Sequence, residues 1–301
     1  MQSRQSGLVQ AMPWVFVLIW STGFIVARYG MPYAPPLKFL ALRFAFSIAC
    51  FLPWIVLARA AWPRGTRQWA HLGVTGVLLH AGYLAGVWAA VKAGMGAGTI
   101  ALIVGLQPVL TAVWLAARGG SDTRASARQW LGLALGFAGL ALVVGRKLGV
   151  GELNRLNLGL AVFALLSITV GTLYQKRHVA SCDVRTANTV QLLAALGVSL
   201  PLTLLEPEAI VAHPHFIGAM AWSVLGLTLG GSSLYYLLIQ RGAATRVTSL
   251  LYLVPPCTAV MAWILFDETL AHTTLLGMAL AALGVWLVVK SAAAPVSARA
   301  G

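Results

Sequence analysis

The chain has 301 residues, of which 59% are hydrophobic and 9% are charged. Soluble domains carry about 25% charged residues, so this composition excludes a soluble fold and indicates an integral membrane protein. The formal net charge of +14 would suggest nucleic acid in a soluble protein, but the basic residues lie mostly in short connections between apolar segments, and we expect no nucleic-acid partner.

Apolar runs of about 20 residues recur along the chain, and each is long enough for one membrane-crossing helix. Breaks rich in charge, glycine or proline separate these runs. Only Arg4 precedes the first run as a basic residue, and no small-residue cleavage site directly follows it, so we interpret it as a retained helix. The ten predicted spans cover residues 12–30, 37–58, 69–91, 98–117, 129–145, 157–175, 186–205, 215–239, 246–266 and 273–290.

The basic residues are distributed unevenly between the two sets of connections. If the N-terminus lies in the cytoplasm, 14 basic residues fall on the cytoplasmic side and six on the external side, and Arg43 lies inside a span. Cytoplasmic connections are enriched in Lys and Arg. We therefore expect both termini in the cytoplasm, with a lipid bilayer around the spans.

The sequence carries little that resembles an enzyme or a metal site. Cys50, Cys182 and Cys257 show no metal-ligand spacing, and "HPH" at 213–215 is more typical of a loop than of a metal site. The middle of the spans holds no HExxH sequence, no paired carboxylates and no nucleophile with a nearby base. We expect no cofactor, no metal and no enzymatic activity.

The chain repeats itself at an offset of 148 residues over its first four spans. Prolines and glycines weigh most in this match, because they punctuate the backbone, whereas leucine matches are common in any apolar chain. After the fourth span the offset drops to 145, because the first half has a loop three residues longer. The matched positions include Gly23 and Gly171, Pro53 and Pro201, Gly82 and Gly230, and Pro108 and Pro256.

Each half of the repeat contains five spans, and an odd number inverts the second half relative to the membrane. Inverted repeats are typical of transporters that alternate access around a site near the bilayer midplane. We predict an all-α membrane protein whose ten transmembrane helices form two inverted five-helix repeats. The repeats cover residues 12–145 and 157–290, a cytoplasmic tail covers residues 291–301, and glycine seams in spans five and ten favour packing within a monomer.

Four stretches resemble a known family: "WSTGF" (20–24), "ALRF" (41–44), "LQPVLTAV" (106–113) and "FDETL" (266–270). On these stretches and the two five-span halves, the chain resembles the EamA-type branch of the drug/metabolite transporter superfamily, from about residue 12 to 290. Family members usually read Gly-Glu at the end of span nine, where this chain reads Asp-Glu. The resemblance implies export of metabolites or amino acids, including aromatic ones, across the bacterial inner membrane.

All seven acidic residues fall in connections or at span ends. Exchange of cationic drugs for protons typically uses a carboxylate within the membrane, and its absence here favours a neutral or zwitterionic solute. Amino acids therefore rank first. Export of a sugar, a nucleoside or a drug, with or without proton coupling, remains the alternative.

Polar and aromatic residues in the middle of symmetry-related spans outline a candidate solute cavity. His80 lies in span three with Tyr83 one turn away, and each of the other candidates is taken singly more often a packing residue than a ligand. The predicted solute-binding residues are Trp20, Thr22, His80, Tyr83, Gln107, Ser232, Tyr235 and Tyr252.

Pro108 and Pro256 hold the same place in the two halves, in the middle of spans four and nine. A proline inside a helix removes a backbone hydrogen bond, which is tolerated where the freed backbone lines a cavity. We interpret the pair as a gate, with inert kinks as the alternative. Arg43 lies within span two and is interpreted as a gating or structural residue rather than a direct solute contact.

Overall fold

The computed structural model describes residues 2–117, 127–149, 152–231, 234 and 253–292, and within these residues the chain is helical with no strand. The helices lie in an order that matches the predicted spans. They are α1 Gln2–Gly30, α2 Pro36–Leu57, α3 Thr66–Lys92, α4 Ala97–Val104, α5 Gln107–Ala117, α6 Ala127–Gly149, α7 Arg155–His178, α8 Val184–Leu202, α9 Pro214–Ala221 continuing as Trp222–Gly231, α10 Val254–Phe266 and α11 His272–Ala292.

Helices α4 and α5 together form the fourth span, so the prediction of ten transmembrane helices in two five-helix repeats is confirmed. Five helices are long and apolar enough to cross a membrane on their own length and composition. Their ranges are Pro36–Leu57, Thr66–Lys92, Trp130–Lys147, Arg155–His178 and Val184–Leu205. The remaining apolar helices are shorter and include Ala97–Thr111 in span four and Val254–Phe266 in span nine.

The two halves interlock rather than lie side by side. Helix α2 packs along α8, α3 packs against both α7 and α8, and α1 and α4 pack against α10. The most extensive contact joins α6 to α11 at the periphery, where the predicted glycine seam lets two backbones approach closely. A Cβ atom on Gly277 would lie 2.6 Å from the Gly139 carbonyl oxygen, so no side chain fits there.

The repeat-related prolines of spans four and nine both lie at the start of a helix. Span four breaks at Gly105 and Leu106, and Pro108 is the second residue of α5. Pro256 likewise lies in the first turn of α10. A proline in a first turn removes no intrahelical hydrogen bond, so neither Pro108 nor Pro256 disrupts the helix that follows it.

Both halves carry a π-helical segment at the same repeat position. Residues Val77–Gly82 form it in α3, and Trp222–Gly231 form it in α9, including residues 225–230 that match 77–82 at the 148-residue offset. Short π-helical segments are rare and frequently occur at functional sites. Because these segments recur at equivalent positions in both halves, the middle of α3 and of α9 is a candidate position for a functional site.

The connections form two faces of unequal charge. We call one the acidic face; it comprises residues 31–35, 93–96, 152–154, 206–213 and 267–271. The opposite basic face includes residues 58–65 and 179–183. Of the acidic residues in the described part of the chain, only Asp183 lies on the basic face. On the acidic face are Glu152, Glu206, Glu208, Asp267 and Glu268.

Candidate functional site

The first polar contact in the protein interior joins Arg43 of α2 to Thr228 of α9. The guanidinium Nε and Nη2 atoms donate to the Thr228 hydroxyl oxygen at 3.4 and 3.3 Å. Thr228 in turn donates to the carbonyl oxygen of Ser223, one π-helical turn earlier, at 2.9 Å. Both Arg43 and Thr228 are buried, so this contact is shielded from water.

The second contact joins His80 of α3 to Gln191 of α8. The His80 Nε2 atom donates to Gln191 Oε1 at 3.2 Å. Phe44 of α2 lies edge-on to the His80 ring, with ring centroids 6.3 Å apart. Tyr83 is buried one turn along α3, and the Arg43 guanidinium is close enough to interact electrostatically with both Tyr83 and His80.

These two contacts are related by the internal repeat. Arg43 and Gln191 are 148 residues apart, and so are His80 and Thr228. The Arg43–Thr228 pair in one place is therefore matched by the Gln191–His80 pair in the other, and each pair links the two halves. The repeat thus places two equivalent polar contacts around its own pseudo-two-fold axis.

The sequence-based candidates divide between this centre and its surroundings. The structure brings His80 and Tyr83 together with Arg43, which had been interpreted as a gating residue. It also adds Gln191 and Thr228, which were not predicted as site residues from the sequence. The signal that would have found them was available, because applying the 148-residue offset to Arg43 and His80 points to these two positions.

Gln107 lies apart from the central pairs. Its Nε2 atom donates to the Thr172 hydroxyl of α7 at 2.9 Å, at the start of α5. Gln107 therefore links the second part of span four to the other half of the repeat. Its amide oxygen is the atom that remains for a solute, since no hydrogen bond to that oxygen is seen within the described residues.

Trp20 and Thr22 both lie in α1 but have different neighbours. Trp20 packs against Phe16, with ring centroids 5.4 Å apart. The Thr22 hydroxyl donates to the Ile19 carbonyl oxygen at 2.6 Å and accepts from Trp222 Nε1 at 2.7 Å. The Thr22 hydroxyl thus already forms two hydrogen bonds, one of which joins α1 to α9. Three further candidates, Ser232, Tyr235 and Tyr252, lie outside the described residues.

The break in span four lies against the start of α10, which belongs to span nine. A Cβ atom on Gly105 would lie 2.8 Å from Cγ of Pro255, so the break in span four lies directly against the first turn of α10. On the side of the acidic face, Gly98 of α4 lies similarly close to Ala259 of α10. The contact of span four with α10 therefore extends from the break toward the acidic face.

Carboxylates of the acidic face bind the first backbone amides of two helices. Both Glu206 oxygens accept from the start of α2, from the amides of Leu37 and Lys38 at 2.9 Å each. Glu268 accepts from the Ala97 amide at the start of α4, also at 2.9 Å. Helix N-termini favour negative charge because their first amides lack intrahelical partners. Each of these caps crosses from the second half to the first.

A second group of contacts surrounds the start of α4. Glu152 accepts from the Gly96 amide at 3.2 Å and from the Thr99 hydroxyl at 3.1 Å, and it forms an ion pair with the buried Lys147. Lys147 had been counted only as an external basic residue. Its burial beside Glu152 shows that it stabilises the connection between α6 and α7.

Ten helices in two repeats, joined through paired polar contacts at the repeat axis, define a multi-pass membrane transporter. The sequence profile of the EamA-like transporter family matches the chain twice, over residues 11–145 and 156–290. The chain therefore belongs to the EamA-like transporter family, and the resemblance noted in the sequence is confirmed.

Individual relatives are distant but nearly full-length. The chain is 26% identical over 293 residues to the uncharacterized transporter YvbV of Bacillus subtilis, covering 95% of this chain and 92% of the relative. It is 24% identical over 295 residues to a probable amino-acid metabolite efflux pump of Escherichia coli, covering 95% of each. One solved crystal structure shares the fold with a TM-score of 0.66 at 18% identity, covering 96% of this chain and 99% of that one.

Proposed function

We propose that this transporter exports amino acids, including aromatic ones, by alternating access around the central polar pairs. The observation that supports this most is the pair of repeat-related contacts, of which Arg43–Thr228 is buried and Gln191–His80 is partly buried. A solute with both charged and apolar parts matches such surroundings. Similarity to a relative named as a probable amino-acid metabolite efflux pump is consistent with this substrate class.

The solute site in this proposal is centred on His80 and Tyr83. Gln107 contributes its amide oxygen from the start of α5, and Trp20 contributes an aromatic wall from α1. Ser232, Tyr235 and Tyr252 belong to the proposed site by their place in the repeat alone. Thr22 is assigned to packing, because its hydroxyl already bonds Ile19 and Trp222.

Gating is assigned to the two interrupted spans. The break at Gly105 and the first turn of α10 touch each other, and Pro108 and Pro256 fix where the helices resume. A proline in a first turn prevents the helix from extending backward through the break. Separating these two spans would open one side of the central site, and the contact between Gly98 and Ala259 would have to break for the acidic face to open.

The expected orientation places the acidic face outside and both termini in the cytoplasm, in the inner membrane. The basic residues of the sequence support this orientation. The packing of α6 on α11 through their glycines uses that seam within one chain, which favours a monomer. Labelling of single cysteines placed at Thr66 and at Pro32 distinguishes the two orientations; labelling of Thr66→Cys by an impermeant external probe contradicts ours.

The function is tested with purified protein in liposomes loaded with unlabelled amino acid. Exchange of labelled aromatic and branched amino acids is measured, with a labelled sugar and a nucleoside in parallel. Exchange of the sugar or nucleoside alone contradicts the proposal and supports the second substrate class. His80→Ala should weaken exchange while leaving folded yield unchanged, with His178→Ala at the basic face as the matched control.

Ion coupling is tested in the same liposomes. All the acidic residues of the chain lie in connections or at helix ends, so no midspan carboxylate is present to help hold sodium. We expect exchange at the same rate with sodium replaced by choline. An obligatory sodium gradient contradicts this expectation, and a dependence on the pH gradient favours proton-coupled export over facilitated exchange.

A further inference from the structure

The side chain of Arg43 has more hydrogen-bond donors than the described residues satisfy. A guanidinium carries five N–H donors and no acceptor. In the structure two of its nitrogens share one acceptor, the Thr228 hydroxyl, at 3.4 and 3.3 Å. The residue is only 9% exposed, so water does not substitute freely for the missing acceptors.

Among the described residues, no acidic side chain compensates this charge. None of the ion pairs among the described residues includes Arg43, and the carboxylates there all lie at the acidic or basic face. The one acidic residue outside the described part is Asp122, in the connection after span four. A buried charge without a counter-ion is costly, so the site is complete only when an anion enters it.

Two further polar side chains without a hydrogen-bond partner among the described residues lie on the same helices as Arg43 and Thr228. Ser47 follows Arg43 by one turn on the same face of α2, and Ser223 precedes Thr228 in the π-helical segment. Both hydroxyls are fully buried and lack a hydrogen-bond partner within the described residues. Each of these hydroxyls can donate one hydrogen bond to an anion, in addition to the donors of Arg43 that lack an acceptor.

The repeat positions show that this charge lies nearer to one face of the protein than to the other. Arg43 lies seven residues into α2 from the acidic face, and Gln191 lies seven residues into α8 from the basic face. At a rise of about 1.5 Å per residue, each is about 10 Å from its own face. The cationic member of the repeat pair is therefore on the acidic-face side of the midplane, and the neutral amide is on the other side.

We propose that Arg43 binds the carboxylate of the transported solute and orients it toward the acidic face. Arginine is suited to this role because its planar guanidinium binds a carboxylate through two parallel hydrogen bonds. The repeat-related position, Gln191, offers a neutral amide to the same solute. This assignment rests on the proposed export of amino acids, and it replaces the gating role expected for Arg43 from the sequence.

The test uses phenylalanine and two relatives that each lack one charged group, phenylalaninamide and 3-phenylpropionate. Exchange of labelled phenylalanine is measured in liposomes, and the other two compounds compete. For the parent protein, 3-phenylpropionate should compete better than phenylalaninamide. Arg43→Gln should raise the phenylalanine concentration for half-maximal exchange by about 10- to 100-fold, which is the loss of affinity typical of a charge-assisted pair. Competition by phenylalaninamide should not weaken.

Two further variants separate binding from packing. Arg43→Lys keeps the charge but not the planar pair of donors, so its affinity should fall between the parent and Arg43→Gln. The double variant Arg43→Gln with Gln191→Arg moves the guanidinium to the equivalent position of the other half. This variant should again prefer 3-phenylpropionate to phenylalaninamide. Equal losses for all three compounds in Arg43→Gln overturn the assignment and leave Arg43 a packing residue.

The result is separable from the proposed function. If the parent exchanges no amino acid, the export proposal fails, and the three compounds are compared instead by thermal stabilisation of the purified protein. Stabilisation by 3-phenylpropionate but not by phenylalaninamide, lost in Arg43→Gln, supports the carboxylate site for another class of organic acid. The same stabilisation in parent and Arg43→Gln contradicts it.

Discussion

Helices α2 and α8 are equivalent in the two halves but begin in different ways. The residue before α2 is Pro35, which has no side-chain acceptor, and Glu206 from the other half supplies the cap. The equivalent residue before α8 is Asp183, which accepts from the Arg185 amide within its own half at 2.9 Å. The cap at the start of α2 therefore joins the two halves, whereas the cap at the start of α8 lies within one half.

The same two helices differ again at the central site. Arg43 of α2 and Gln191 of α8 occupy equivalent positions, yet only one is charged. The comparison teaches that the repeat determines where backbone positions fall, whereas individual side chains make the two directions unequal. A symmetric scaffold with symmetric side chains would favour neither face. Here the acidic face carries the cross-repeat carboxylate caps and the charged member of the central pair.

The largest expected effect concerns a close approach that one half has and the other lacks. Gly76 of α3 lies so near α8 that an added Cβ atom would be 2.6 Å from the Gln191 Cα atom, whereas the equivalent position in α9 is the buried Val224. Gly76→Ala should lower folded yield and cost about 3 kcal/mol, because neither backbone has room to move.

Gly197→Ala is the matched control for this change. Gly197 lies in α8, and a Cβ atom added there would have no neighbouring atom within 4 Å, so alanine should be tolerated. Thermal unfolding and size-exclusion chromatography in detergent measure both variants. Parent-like stability of Gly76→Ala would show that α3 and α8 lie farther apart than this contact requires.

The next effect tests the cap that crosses between the halves. Glu206→Ala leaves two amides at the start of α2 without an acceptor, so we expect a loss of about 1–2 kcal/mol in stability. Glu208→Ala removes only the exposed pair with Lys92 and should cost about 0–1 kcal/mol. Thermal midpoints of the two variants in the same detergent compare them. Equal losses would mean that the cap adds nothing beyond surface charge.

A third prediction concerns the equivalent prolines. Pro108→Ala and Pro256→Ala should leave stability within about 1 kcal/mol of the parent, because alanine is readily accommodated in a first turn. Both should lower the turnover of exchange several-fold, because the helices can then extend into the breaks. Parent-like turnover in both variants identifies the prolines as inert and places the gate elsewhere.

The smallest expected effect concerns Asp183, which caps the start of α8 from within its own half. Hydrogen bonds from the Arg185 side chain hold the pKa of Asp183 below its ordinary value. Its charged form therefore adds stability above the ordinary carboxyl pKa of about 3.9, and this contribution is lost as the pH falls through the lowered value. Asp183→Asn keeps the cap but loses the ion pair, so it should cost under about 0.5 kcal/mol at neutral pH.

The measurement for Asp183→Asn is its thermal midpoint relative to the parent between pH 7 and pH 3. The difference should shrink toward the acidic end, because the parent carboxylate becomes protonated there. A difference that grows on acidification would contradict the assigned direction of the pKa shift.

The sequence alone determined the membrane class, the ten spans, the two halves and the equivalence of their prolines. These properties depend on local composition and on the spacing of residues along one chain, because a membrane selects apolar helices of a set length. His80 and Tyr83 were found in the same way, as polar and aromatic residues within apolar segments.

The tertiary structure alone decided the partners and the local helix geometry. Thr228 and Gln191 became part of the site because α9 meets α2 and α8 meets α3, contacts between residues 185 and 111 positions apart. The π-helical segments and the placement of Pro108 in a first turn depend on how neighbouring helices pack. Sequence periodicity reports which residues are apolar, but the distances between helices depend on side chains from both halves.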